Sequence, residues 1–209
     1  MFLEAVMKVY TYIPQGYFGA NMYLLNFSGK GVIIDPTVNY DKISDTLLKN
    51  KIEVTHILIT HAHFDHFVMI DDWVQNTGAK VYVGCLDAKA LANSYLNCYK
   101  MFFGIDKGYY GEYQAVSEGD VIDVNGNLIE VIETPGHTVG SVSFRVADSI
   151  FVGDVVFAGN SVGRCDLPGG DYQALVKSIK KIASLPEDTK IYSGHGSSSY
   201  IREIKTYLI

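Results

Sequence analysis

The chain reads as a single α/β domain in which two β-sheets pack face to face with helices on their outer sides. Three observations predict this. Strand-like runs rich in Val, Ile and Tyr alternate with stretches of helical periodicity, and strands, helix, strand and helices occur once in each half of the sequence. No linker, low-complexity tract or sequence-level repeat divides residues 1–209. That length suits one domain with a full core and is too short for two large ones.

Taken in order, residues 7–13, 20–27 and 31–35 are β-rich runs separated by Pro and Gly, which predicts an antiparallel meander. The window 9–29 carries no charged side chain, but Pro14, Gln15, Gly16, Gly19, Asn21 and Asn26 would leave polar groups unpaired in lipid, so it reads as two strands and a turn. Tyr40, Ile43 and Leu47 have helical spacing within 39–50, and this helix is expected to cover one face of the meander. The next strand, 54–60, ends on a polar cluster. A helix over 67–76, a strand over 79–83 and one or two helices over 86–103 follow. An irregular stretch rich in aromatic residues comes next, with seven Tyr and Phe between 95 and 113. Most of these rings are expected to pack an inserted helix onto the body, with one or two left to wall a pocket.

The second half opens with strands at 121–124, 128–133, 141–146 and 150–153, the first two joined by the hairpin signal Asn125-Gly126. Residues 171–184 read as a helix capped by Asp171, with a Leu175, Ile179, Ile182 stripe and Pro186 beyond its end. A strand at 190–193 and a short helix at 200–208 close the chain.

Bulk composition removes several functional classes. A formal charge of −6 without any basic cluster argues against a nucleic-acid surface. The start Met1-Phe2-Leu3-Glu4 lacks the basic opening of a secretory signal, so a cytoplasmic, membrane-free protein is expected. Cys85, Cys98 and Cys165 are odd in number and share no CxxC spacing, which suggests neither a disulfide framework nor a thiolate metal site.

The polar cluster is Thr60-His61-Ala62-His63-Phe64-Asp65-His66, directly after the apolar run Ile57-Leu58-Ile59. Imidazole nitrogen and carboxylate oxygen suit Zn²⁺ and its first-row neighbours. Alternate residues of an extended segment point the same way, so His61 and His63 can face one ion while Asp65 and His66, past the turn, face a second. Three later turns offer further ligands beside glycines: Thr134-Pro135-Gly136-His137-Thr138, Gly153-Asp154 and Ser193-Gly194-His195-Gly196. Each follows an apolar strand and is expected at a sheet end. Five of the six histidines fall into this pattern. His56 stands outside it and reads as a non-ligand just ahead of the apolar run of its strand.

The order H-x-H-x-D-H, TPGHT, GD and GHG resembles the metallo-β-lactamase superfamily, from about Met7 to the end of the chain. The resemblance implies a four-layered αββα sandwich and two divalent metal ions, Zn first, with Fe or Mn as alternatives. Carried over by position, His61, His63 and His137 would hold the first metal, Asp65, His66 and His195 the second, and Asp154 would bridge them. The TPGHT turn followed by Gly140-Ser141, and the segment 163–171, are similar to the short glyoxalase-II-like hydrolases of bacteria. True glyoxalase II adds a C-terminal helical domain that binds glutathione, and only 14 residues follow His195 here. Relatives also often follow GHG with Pro and Thr, where this chain has Ser197-Ser198-Ser199.

The activity this implies is hydrolysis of a small-molecule thioester of the S-2-hydroxyacylglutathione class by hydroxide bound to the metal pair, with Asp65 orienting it. Metal binding lowers the pKa of water from about 15.7 to about 7, worth on the order of 12 kcal/mol in hydroxide availability. No Ser or Cys nucleophile is then needed. The net positive charge of such a site favours an anionic acyl group, to which Arg164 can add unless a salt bridge engages it. An iron persulfide dioxygenase using the first metal position, a lactonase and a non-catalytic metal-binding domain are the rival expectations.

Overall fold

The computed structural model describes residues 7–14, 19–159 and 161–204. Its first sheet contains six strands in sequential order: β1 (Lys8–Tyr12), β2 (Met22–Phe27), β3 (Lys30–Ile34), β4 (Glu53–Ile59), β5 (Lys80–Gly84) and β6 (Gln114–Val116). The first three form the expected antiparallel meander, and β3 to β6 run parallel. The second sheet is ordered β12, β11, β10, β9, β8, β7. Its strands are β7 (Val121–Val124), β8 (Asn127–Glu133), β9 (Val142–Val146), β10 (Ser149–Gly153), β11 (Lys190–Ser193) and β12 (Ser199–Tyr200). Only the β10–β11 pair is parallel there, joined through a helix.

Strand parity assembles the layers. On β2, Tyr23, Leu25 and Phe27 point between the sheets, where they meet Ile129, Val131, Phe144 and Phe151 of the second sheet. Met22 and Leu24 point the other way, with Ile33, Ile57 and Ile59, onto the helices α1 (Tyr40–Asn50) and α3 (Ile70–Thr77) through Ile43, Leu47 and Trp73. Ile150, Val152 and Ile191 of the second sheet face outward onto α5 (Tyr172–Ala183) and α6 (Ile201–Ile204). The result is an αββα sandwich with three apolar layers of contact. No helix among the described residues is long and apolar enough to cross a membrane.

Local signals account for most boundaries. Asn125 and Gly126 both have positive φ, 55° and 84°, as the tight hairpin between β7 and β8 requires. Asp171 caps α5 by accepting a hydrogen bond from the Ala174 amide at 3.0 Å. Two expectations are corrected. The helix placed at 67–76 starts earlier and is split into α2 (Phe64–Phe67) and α3, with the Met69 amide bonded to the Pro36 carbonyl between them. The helices placed over 86–103 shrink to a 3₁₀ turn at Ala88–Ala90 and α4 (Tyr99–Phe103). Asn93 accepts from the Tyr95 and Leu96 amides, Asn97 from the Tyr99 amide, and Cys98 has φ 67°, so side chain-to-backbone bonds replace a helical ladder. His56 lies inside β4. It bonds to Thr55 (Nδ1 to Oγ1, 2.8 Å) and stacks on Tyr82. The short strands β6 and β12 had no counterpart in the periodicity, and of the final helix expected at 200–208, residues 205–209 lie outside the described ones.

The inter-sheet layer sets stability. Phe144→Ala removes a fully buried ring and is expected to cost about 3–5 kcal/mol, whereas Leu128→Ala, at a position 60% exposed, is expected to cost less than about 0.5 kcal/mol. Urea denaturation of the two variants checks the contrast.

Candidate metal centre

Four loops meet at one rim of the sandwich. They leave the C-terminal ends of β4, β8, β10 and β11 and carry His61 to His66, His137, Asp154 and His195. Three groups of ligand atoms gather within 4.8 Å: His61, His63 and His137; His61, His66 and Asp154; and Asp65, His66 and His195. All seven side chains picked out from the sequence are therefore brought together, and His56 is not among them.

The first group is a knot of nitrogens. Nε2 of His137 lies 2.8 Å from Nδ1 of His63 and 3.1 Å from Nε2 of His61. Its other nitrogen, Nδ1, lies 2.7 Å from the Arg164 carbonyl and donates to it, which fixes the orientation of the ring. Burial, reinforced by the neighbouring His66 and His137, drives the His61 pKa well below the ordinary histidine value. Burial, then His137, brings His63 down to about 3. Both are thus neutral, the form that binds a metal. Ligands about 2.0–2.1 Å from a tetrahedral Zn²⁺ sit roughly 3.3 Å apart, close to the spacing of these nitrogens.

The second group surrounds Asp154. Its Oδ1 is 3.4 Å from Nε2 of His66, while Oδ2 is 3.6 Å from Nε2 of His137 and 3.5 Å from Nε2 of His195, so one carboxylate faces both groups. Asp65 Oδ2 is 3.4 Å from His195 and 4.0 Å from His66. Burial would raise the carboxyl of Asp154, but the charge of His66, 3.4 Å away, outweighs it and holds the group well below the usual range. Asp65 is lowered against burial by its hydrogen bond to His195. His66 Nε2, His63 Nε2 and Asp154 Oδ1 are buried and have no hydrogen-bond partner. Buried polar atoms are almost always satisfied, so orphaned donors and acceptors in one cluster fit a site made for a cation.

Supporting residues went unrecognised in the sequence. Asp35, with φ 53°, accepts from the Thr60 amide (2.8 Å), the Thr60 hydroxyl (2.7 Å) and His66 Nδ1 (2.8 Å). Asp87 accepts from the amides of Ala62 and Gly140, both at 2.9 Å, and from the Thr138 hydroxyl at 2.7 Å, which ties the histidine loop to the TPGHT turn. Asn21 donates to the carbonyls of Ser193 and Gly196 and holds the GHG turn against β2. A lone Asp or Asn gives no periodic signal, although the position of Asp35 at the end of an apolar strand is one cue. Gly194 is required for a reason of space: a Cβ there would fall on the Asp154 carboxylate and 2.6 Å from the His66 ring.

An open cavity of about 380 Å³ adjoins the cluster, lined by His63, Asp65, His137, Asp154 and His195 on one side and largely apolar residues on the other. Arg164 borders it, but its guanidinium is taken up by Asp166, with Nε to Oδ1 2.7 Å and Nη2 to Oδ2 2.6 Å. The cluster and the layers define an αββα sandwich protein with a paired His/Asp metal-binding rim.

Comparison with known proteins agrees. The profile of the metallo-beta-lactamase superfamily matches residues 16–195, and the chain belongs to that superfamily. It is 36% identical over 193 residues, 88% of either chain, to the Bacillus subtilis (strain 168) protein named "Probable metallo-hydrolase YqgX". Among solved structures it is similar to the B3 metallo-beta-lactamase BLEG-1, with TM-score 0.87, 31% identity and 97% and 98% of the two chains covered. It is also similar to TTHA1623 in a di-iron-bound form, with TM-score 0.80, 30% identity and coverage of 94% and 96%.

Two outcomes follow from the geometry. Asp35→Asn, which disturbs the partner of His66, is expected to weaken metal retention about 10–100-fold in competition with a chelating dye. Burial alone would strip the proton from His66, yet the Asp35 and Asp154 carboxylates raise its pKa well above the ordinary value, so without metal it is protonated at neutral pH. Metal uptake at pH 7 should therefore expel at least one proton, read from calorimetric titrations in buffers of different ionisation enthalpy. Buffer-independent heats would contradict a protonated His66.

Proposed function

We propose that the protein is a metal-dependent hydrolase of a small-molecule thioester, working in the manner of the glyoxalase-II-like branch on the S-2-hydroxyacylglutathione class. In this reading His61, His63 and His137 hold one divalent ion, Asp65, His66 and His195 a second, and Asp154 lies between them. The observation that carries it is the convergence of seven His and Asp side chains, with orphaned buried atoms among them, five of the seven lining an open cavity. The name of the Bacillus relative supports the hydrolase class, and the di-iron form of TTHA1623 keeps iron beside zinc as the resident metal. Free Cys85, Cys98 and Cys165 suit a reducing, cytoplasmic setting.

A metal pair held there supplies a water acidified to near-neutral pKa and a Lewis acid for the carbonyl oxygen. The chain's own groups do the rest. Asp65, kept ionised and facing the cavity, would orient that water. Asp154, fixed against His66, spaces the two ligand groups. Cys98 borders the cavity, but burial pushes its thiol up to about 11, so it offers no thiolate nucleophile. A thiolate leaving group needs little protonation, which suits a wall without a free general acid.

A second reading, opening of a β-lactam ring, is favoured by the likeness to BLEG-1. Turnover of S-lactoylglutathione beside other thioesters, lactones and a β-lactam, with metal content measured on the same sample, separates these readings. One iron per chain with oxygen uptake would instead indicate a persulfide dioxygenase. His66→Ala and Asp154→Ala are each expected to lose metal and at least 10²-fold in activity while keeping the far-UV circular dichroism of the parent. Full activity in either would refute the assignment.

A further inference from the structure

The cavity beside the metal cluster has a chemical character of its own. Phe64, Cys98, Phe102, Phe157 and Leu167 form its far wall. Phe102, on α4, stands at the mouth with its ring 5.5 Å from that of Phe64, and Phe157 approaches from the β10 side with its ring 6.0 Å from His195. Among the described residues lining the cavity, Arg164 is the one lysine or arginine. Both prongs of its guanidinium are spent on Asp166, and its backbone carbonyl is held by His137.

We infer that this cavity receives the acyl end of the substrate and selects an uncharged hydrocarbon acyl group over one bearing a carboxylate, with Phe102 and Phe157 setting the preference. The inference rests on the thioester-hydrolase reading and names its substrate class more closely. A carboxylate pressed against these rings would lose its hydration and find no unpaired cation in return. A methylene in the same place gains roughly threefold to fourfold in binding for full burial. At about 380 Å³ the cavity lies near the lower end of ligand pockets, roughly 300–1,000 Å³, so the acyl group is short. Positive charge at the metals favours the oxyanion formed at the carbonyl, a separate place from the acyl tail.

The test is a series on the zinc-loaded protein: acetyl, butanoyl, hexanoyl and succinyl thioesters of N-acetylcysteamine, an uncharged thiol. kcat/KM is expected to rise tenfold or more from acetyl to hexanoyl, and succinyl is expected to fall at least tenfold below butanoyl. Phe102→Ala should flatten the rise. Asp166→Ala, which frees the Arg164 guanidinium, should raise succinyl several-fold and leave butanoyl as it was. Dissociation constants of ethanethiol, butanethiol and hexanethiol, measured by calorimetry, should tighten in the same order. A flat or falling series, or a wild-type preference for succinyl, overturns the inference. Thiol binding that tightens with chain length while no thioester turns over removes the hydrolase reading and leaves the pocket preference standing. Flat thiol binding with no turnover overturns both.

Discussion

The loop from Thr60 to His66 is gripped from two sides by the buried carboxylates of Asp35 and Asp87, and the geometry of the rim depends on that grip. Six hydrogen bonds between 2.7 and 2.9 Å run to these carboxylates, three from amides, two from hydroxyls and one from an imidazole. Bonds to a carboxylate are roughly twice as strong as neutral ones, and each buried donor left unmatched would cost about 1–3 kcal/mol. Asp35 has φ 53°, a conformation few side chains tolerate without being held from several directions. Asp87 is 2% exposed, and that burial raises its carboxyl above the ordinary value against three donors. The histidines are thus aimed by the protein's own hydrogen bonds.

That rigidity produces opposite electrostatics within a few ångströms. His61 and His63, stripped of water and packed against other imidazoles, are held neutral. His66 lies between Asp35 and Asp154 and holds its proton. Protein alone leaves the cluster dissatisfied: Nε2 of His63, Nε2 of His66 and Oδ1 of Asp154 are buried without a hydrogen-bond partner. Each is a local cost that a cation would relieve. Binding a metal and folding the rim are therefore linked, because the buried atoms that lack a partner within the protein are the ones that would supply the affinity.

The fold was legible wherever period and punctuation agreed. β2, β4, β8 and α5 carry clean strand or helix patterns, and Asp171 and Asn125-Gly126 announced their cap and turn. The ligands were legible for a different reason: histidine is scarce, and five clustered in short glycine-marked turns leave a dense signal. Asp35, Asp87 and Asn21 were not, since one buried polar residue has no spacing to recognise. The 86–103 stretch failed because its local rule is competition. Asn93 and Asn97 bond to the backbone and unmake a helix that the apolar spacing favours. Strands as short as β6 and β12 are defined by their neighbours in the sheet and leave almost no pattern of their own.

Chemistry and selectivity consequently reside in different kinds of structure. The seven clustered side chains leave the ends of strands that are locked into two sheets and packed on three layers, so their relative positions tolerate little variation. Phe102, Phe157, Arg164 and Leu167 instead sit on α4 and the connections, where side chain-to-backbone bonds such as that from Asn97 to the Lys107 carbonyl hold the chain path. A substitution in those connections can reshape or recharge the far wall at little cost to the sandwich. One link joins the two: the Arg164 carbonyl orients His137, so the wall segment can change its side chains freely while its backbone must keep its course past the metal rim.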